Sequence, residues 1–175
     1  MEKESNIANN QGLAIFNGSE EDIIKNLESL REIGTLSSLE VILENVRTQP
    51  SEAIKRKIYE LVADLKNKLA TPIIANFTLA CGNIKIQTEL ISASWQSRLD
   101  FSEYLEPYIN MTIEGDILLT HEILTLVEEN CQATEETQVI SSIGKIKDHL
   151  HTFSPEKKLL MVDLINILEE KKAAQ

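Results

Sequence analysis

Apolar side chains recur along this sequence three and four residues apart, the spacing of one helix face, and nowhere alternate as they would on a half-buried strand. Ser19-Glu20-Glu21-Asp22 offers a hydroxyl to orphan amides and acidic groups to a positive helix end. Ile23, Ile24, Leu27, Leu30 and Ile33 follow, so a leading helix is expected from Ser19, with Gly34 as its left-handed stop. Before it, residues 1–18 are polar and Asn-rich apart from Leu13-Ala14-Ile15-Phe16, and are expected to form a flexible tail.

From Leu36 the predicted helices come in pairs. Leu36, Leu39, Ile42, Leu43 and Val46 make one stripe, Thr48-Gln49-Pro50-Ser51 interrupts it, and Ile54, Ile58, Leu61, Val62 and Leu65 make the next. Pro72 suits a first helical position for Ile73, Ile74, Phe77 and Ala80; after Gly82-Asn83 come Ile86, Leu90, Ala93 and Ser94. Asp100-Phe101-Ser102-Glu103 reads as a capping box for Phe101, Tyr104, Leu105, Tyr108 and Ile109, and Glu114-Gly115-Asp116 turns into Leu119, Ile123, Leu126 and Val127. Thr134 is expected to open a stripe of Val139, Ile140, Ile143, Ile146 and Leu150. Ser154-Pro155-Glu156 then opens Leu160, Leu164, Ile165 and Leu168, with Lys171-Lys172 at that helix's negative end.

These pairs repeat. The breaks at Pro50, Gly82 and Gly115 are 32 and 33 residues apart, and the fourth, at Ser154, follows 39 later. Aligned on them, Ile54, Ile86 and Leu119 share one position and Ile58, Leu90 and Ile123 another. A helix pair with one apolar face cannot hide that face alone, so a period of this kind implies stacked hairpins. The longer fourth unit reads as a terminal cap.

Charge narrows the partners. With 17 Lys and Arg against 28 Asp and Glu, the chain carries −11, a field opposed to polyphosphate, and neither DNA nor RNA is expected as partner. The excess is local: residues 89–136 hold eleven acidic side chains against Arg98 alone, while Lys55-Arg56-Lys57, Lys66, Lys68 and Lys85 lie before them. Such polarity would steer a partner of basic character. No apolar run is long enough to cross a membrane and the first residues are acidic and polar, so a cytoplasmic protein is expected.

Catalytic constellations are absent from the sequence. His121, His149 and His151 have no metal-ligand spacing, Cys81 and Cys131 stand alone and read as small buried hydrophobes, and no metal or other cofactor is expected. Glu103 and Glu106 share a helix side but have no nucleophile near them in sequence, and GxSxG, GxxxxGK[ST] and GxGxxG do not occur. Phe101, Tyr104 and Tyr108 have core spacing. Trp95 falls off the centre of its stripe and is followed by Arg98, a pairing of residue types enriched at binding hot spots.

The stretch Gln49-Pro50-Ser51-Glu52-Ala53-Ile54-Lys55-Arg56-Lys57-Ile58-Tyr59-Glu60-Leu61-Val62 resembles the turn and second helix of HEAT and armadillo-like repeats, and the resemblance extends over residues 36–175. Lys55 stands in the family's basic slot; Gln87 and Thr120 take that place in the next two units, a departure from the pattern. The resemblance implies an all-α, right-handed α-α superhelix of about four hairpins after one leading helix, with residues 19–175 as the repeat domain. It further implies a non-enzymatic scaffold that binds a protein or peptide along the surface of the second helices. Lys55, Tyr59, Trp95, Arg98, His121 and Glu128 are the expected contact residues. Two alternatives belong to other classes: a solenoid enzyme resembling DNA glycosylases, which the charge opposes, and self-association into a homodimer through the terminal hairpins or the aromatic region, since an incompletely capped solenoid leaves an apolar end face.

Overall fold

The computed structural model describes residues 14–33 and 36–173. Among them there are no strands, and nine α-helices of ten residues or more follow one another: α1 (Glu20–Ile33), α2 (Leu39–Thr48), α3 (Glu52–Asp64), α4 (Ala70–Ala80), α5 (Ile84–Ser97), α6 (Leu105–Glu114), α7 (Ile117–Asn130), α8 (Glu136–His149) and α9 (Pro155–Ala173). Neighbours in sequence pack as the hairpins α2–α3, α4–α5, α6–α7 and α8–α9. The second helices form a continuous layer in which α3 packs on α1, α5 on α3, α7 on α5 and α9 on α7; behind it, α2 packs on α4 and α6 on α8. The fold is therefore an all-α array of helical hairpins. Gly34, the expected stop of α1, lies outside the described residues. Ile15, within the stretch expected to be tail, is buried, and its carbonyl accepts a hydrogen bond from Asn26 of α1.

Burial keeps the register that the sequence repeat sets. Ile54, Ile86 and Leu119 are buried at the first shared position, then Ile58, Leu90, Ile123 and Met161 at the next. Leu61, Ala93, Leu126 and Leu164 follow one turn later, beside Val62, Ser94, Val127 and Ile165. Four helices thus bury the same stripe against the first-helix layer, and burial of their aliphatic side chains, at roughly 25 cal/mol per Å² of apolar surface, is what holds the stack.

Local chemistry starts most of these helices where expected. Ser19 Oγ accepts from the Asp22 amide and the Ser19 amide donates to the Asp22 carboxylate, a reciprocal cap; the Ser19 hydroxyl, donating to the same carboxylate at 2.7 Å, and then the Ser19 amide hold the Asp22 carboxyl below its ordinary range. Ser51, Asn83 and Asp116 each accept, through the side chain, the amide three residues on, at 3.3, 3.2 and 2.8 Å.

Elsewhere the structure corrects the sequence reading. Asp100 Oδ1 bonds the amide of Ser102, two residues on, so the chain enters a 3-10 turn (Ser102–Tyr104) and α6 begins only at Leu105. Pro72 lies two residues inside α4, where its missing amide still costs no helical bond. Thr134 does not cap α8: Glu135 holds that place without a side-chain bond, and the Thr134 hydroxyl is buried without a partner. Leu160 is only half-buried and Met161 takes its place in the core; Ile140 is 48% exposed.

Two lysines fix α9. Lys157 occupies the position that holds Ile54, Ile86 and Leu119 in the other repeats, yet it is only 9% exposed. Its ammonium donates to the carbonyls of Ile113 and Gly115, at 3.1 and 2.7 Å, and lies 4.8 Å from the centre of the Phe153 ring. Desolvation pulls this ammonium below the ordinary lysine value, and the carbonyls at the negative end of α6 offset that cost. Lys171, 6% exposed, donates to the carbonyl of Gln132 at 2.6 Å. It thus serves the end of α7 rather than the end of its own helix, as the sequence had suggested.

Candidate functional site

On the solvent side of the second-helix layer, α3 and α5 leave a furrow. One cleft of about 300 Å³ is lined by Arg56, Tyr59, Glu60 and Asp64 of α3 and by Glu89 and Gln96 of α5, among others. An adjoining cleft of about 420 Å³ shares Arg56, Tyr59 and Glu89 and reaches Glu52 and Lys85. Tyr59 stands in both because it sits on the flank of α3 that turns toward the next repeat. Just past the end of α3, Lys66 donates to the Ser97 carbonyl at the end of α5, at 2.9 Å. Volumes of this size lie at the lower end of those that hold a small ligand and also admit a few side chains of a partner.

The furrow is electrostatically uneven. Arg56 stands at 3.7 Å from Glu60, which also accepts from Lys57 at 2.9 Å, so Glu60 is partly neutralised. Glu52 is held by Lys55 at 3.0 Å and Lys85 at 3.4 Å, which keep its carboxyl below the ordinary range. Glu89 is exposed. Burial pushes the Tyr59 phenol well above its ordinary value, and the negative charges of Glu89 and Glu52 add to that, so the ring presents a protonated hydroxyl beside carboxylates. A cation entering here would meet an aromatic face and at least one carboxylate together.

Of the six contact residues expected from sequence, only Tyr59 lines the furrow. Lys55 is half-buried and turned to Glu52. Trp95 is half-buried in the next seam, where its indole Nε1 donates to Glu122 Oε2 of α7 at 2.8 Å, so the ring ties two repeats together. Arg98, exposed, ends α5 in the left-handed region at φ 59°. His121 and Glu128 are exposed on α7, two turns apart. Glu60, Asp64, Glu89 and Gln96 were not singled out from sequence, because only the pairing of α3 with α5 brings them together.

Arg98 carries a testable cost. It is the one non-glycine residue with positive φ among the described residues, and left-handed backbone costs an L-residue roughly 1–2 kcal/mol relative to glycine. Arg98→Gly is expected to stabilise the fold by about 1 kcal/mol, raising the thermal midpoint by roughly 2–4 °C. An unchanged or lower midpoint in calorimetry would show that the arginine side chain makes good its own strain.

On the opposite layer, α2 and α4 leave a depression of about 420 Å³ over Leu43, Ile73 and Phe77, across which Arg47 stacks at 4.6 Å from the Phe77 ring while pairing with Glu44 at 3.7 Å. Glu106 accepts from Lys145 and Ser141, both at 2.8 Å, and so joins α6 to α8; the Lys145 ammonium first and the Ser141 hydroxyl second hold its carboxyl below the ordinary range. Asp100 is engaged in its turn. Cys131 is buried, and its thiol is raised by desolvation; Cys81, expected to be buried, is half-exposed. Among the described residues no three His, Cys, Asp or Glu side chains are placed to hold a metal ion, and no helix is long and apolar enough to cross a membrane. No protein-family model matches the sequence, and neither a curated protein nor a solved structure is significantly similar to it.

Proposed function

We propose that the chain is a HEAT-like repeat scaffold of the cytoplasm that acts by noncovalent protein binding, and that its docking site is the furrow between α3 and α5. The carrying observation is the composition of that furrow: Tyr59 at its centre, with Glu52, Glu60, Asp64 and Glu89 against Arg56 and Lys85. Basic side chains of a partner would enter it, drawn by the acidic excess of the molecule and held by the aromatic face. Trp95, bonded to Glu122, has a packing role in this scheme and stiffens the layer that frames the furrow. Catalysis has no part in it, and the charge of −11 disfavours nucleic acid.

Affinity capture from source lysate tests this. The wild-type chain is expected to retain a partner in stoichiometric amount. Tyr59→Ala is expected to weaken the complex by about 30-fold and Glu89→Lys by at least about tenfold, as losses at a hot spot and at a complementary charge. Glu40→Lys, the same charge change on the opposite layer, leaves binding intact. Recovery of no stoichiometric partner, or of one held equally by all three variants, would remove the furrow from consideration.

A further inference from the structure

Two exposed charges of opposite sign stand on α5 without a polar partner. Glu89, beside Tyr59 at the centre of the furrow, makes no hydrogen bond or ion pair among the described residues. The guanidinium of Arg98, at the end of the same helix, makes none either. By contrast, Glu52 and Glu60 are each held by two cations. Nine residues of α5 separate Glu89 from Arg98, roughly 13 Å at the rise of a helix. That exceeds the screening length of about 8 Å at physiological salt, so the two charges do not compensate one another.

Arg98 marks one end of the furrow. The clefts run along α3 and α5 from Glu52 and Lys85 to Asp64 and Gln96. Beyond them Lys66 bonds the carbonyl of Ser97, the residue before Arg98. The exposed Lys68 lies within electrostatic reach of Asp100, two residues after Arg98. The furrow thus passes from an open carboxylate at its middle to three cations at this end, set against Asp64 and Asp100. Nothing in the fold asks for an arginine here. A helix that ends in the left-handed region ordinarily takes glycine, yet Arg98 holds φ 59° with a side chain that has no polar contact among the described residues. Strain kept at such a position points to use of the side chain.

We propose, resting on the furrow as the docking site, that its occupant is an extended segment of mixed charge, with a basic side chain over Tyr59 against Glu89 and a carboxylate engaged by Arg98. Clefts of about 300 and 420 Å³ suit the side chains of an extended chain, whereas a helix is about 10 Å across. An extended chain advances about 3.3 Å per residue, so the occupant's two charges lie about four residues apart. A purely basic segment would set like charge against Arg98, and a purely acidic one would be repelled by Glu89 and by the net charge of −11. The guanidinium fork matches a carboxylate with two parallel bonds, so Arg98 fixes the register of the segment while Tyr59 and Glu89 hold its middle.

Selection of a displayed library of random decapeptides against the full chain tests this. Enriched sequences are expected to carry Arg or Lys with Asp or Glu about three to five residues away, and to be lost on Tyr59→Ala. In calorimetric titration with one such synthetic peptide, Arg98→Gly is expected to raise Kd about tenfold. Because this variant relieves the strain at its own position, its lost binding is not lost folding. Exchanging the peptide's acidic residue for its amide should cost the wild type the same factor and the Arg98→Gly variant nothing, as a direct pairing requires. Absence of any peptide that depends on Tyr59 would remove the furrow and its mixed-charge occupant together. Peptides that depend on Tyr59 but carry no acidic residue at that spacing, or that bind Arg98→Gly as tightly as the wild type, would overturn the mixed-charge occupant and leave the furrow standing.

Discussion

Replacing Leu90 by alanine is expected to lower the unfolding free energy by about 3 kcal/mol, as for a fully buried leucine whose surroundings relax only in part. Leu90 lies in the shared core stripe of α5, the helix that packs on α3, α4 and α7 at once, so the cavity opens at the middle of the array. In a stacked array each unit is held by its neighbours, and a weak central unit threatens to uncouple the two ends. With only four hairpins the array should still unfold as one unit. The urea midpoint is then expected to fall while the slope of the transition stays unchanged. A shallower slope, or a second transition, would mean that the repeats before and after α5 unfold separately.

Lys157→Ala is expected to cost about 3 kcal/mol, because two charge-assisted bonds to the carbonyls of Ile113 and Gly115 disappear along with the buried stem. Lys157→Met keeps most of the stem packing and should recover about half of that loss. Both variants leave the end of α6 without the donor that ties it to α9. The damage should appear first in the last hairpin, as faster amide exchange in α9 than in α3. Uniform exchange throughout the molecule, or a Met variant as stable as the wild type, would show that the ammonium contributes nothing beyond its packing.

How much of this was legible in the sequence follows from what each signal depends on. The stripes at Ile54, Ile58, Leu61 and Val62 and their equivalents could be read because helical spacing is local and recurs three times. The cap at Ser19 was legible for the same reason, whereas Ser51, Asn83 and Asp116 were read only as parts of breaks, and the structure shows their side chains accepting the amide three residues on. Lys157 was not legible, although alignment on the caps puts it opposite Ile54. A lysine in a sequence reads as solvated, and its carbonyl partners lie 42 and 44 residues away. Ile140 was assigned to the core because its spacing is right, but spacing alone cannot reveal that the packed array leaves it 48% exposed.

The candidate site divides in the same way. Tyr59 was expected as a contact because the resemblance to HEAT-like repeats puts the surface of the second helices to use in binding. Glu89 was not, since its meaning depends on α5 lying against α3. Trp95 drew attention by residue type, and its type is explained by the seam: the indole spans from α5 to α7 and its polar edge finds Glu122.

That bond gives the protein an internal optical gauge. Trp95 is the sole tryptophan, and it straddles the boundary between the second and third hairpins. Its emission should be indifferent to fraying at either extremity and should shift to the red only when the midpoint of the array parts and water reaches the ring. Fluorescence and circular dichroism, followed side by side, would then distinguish loss of helix at the margins from rupture at the centre.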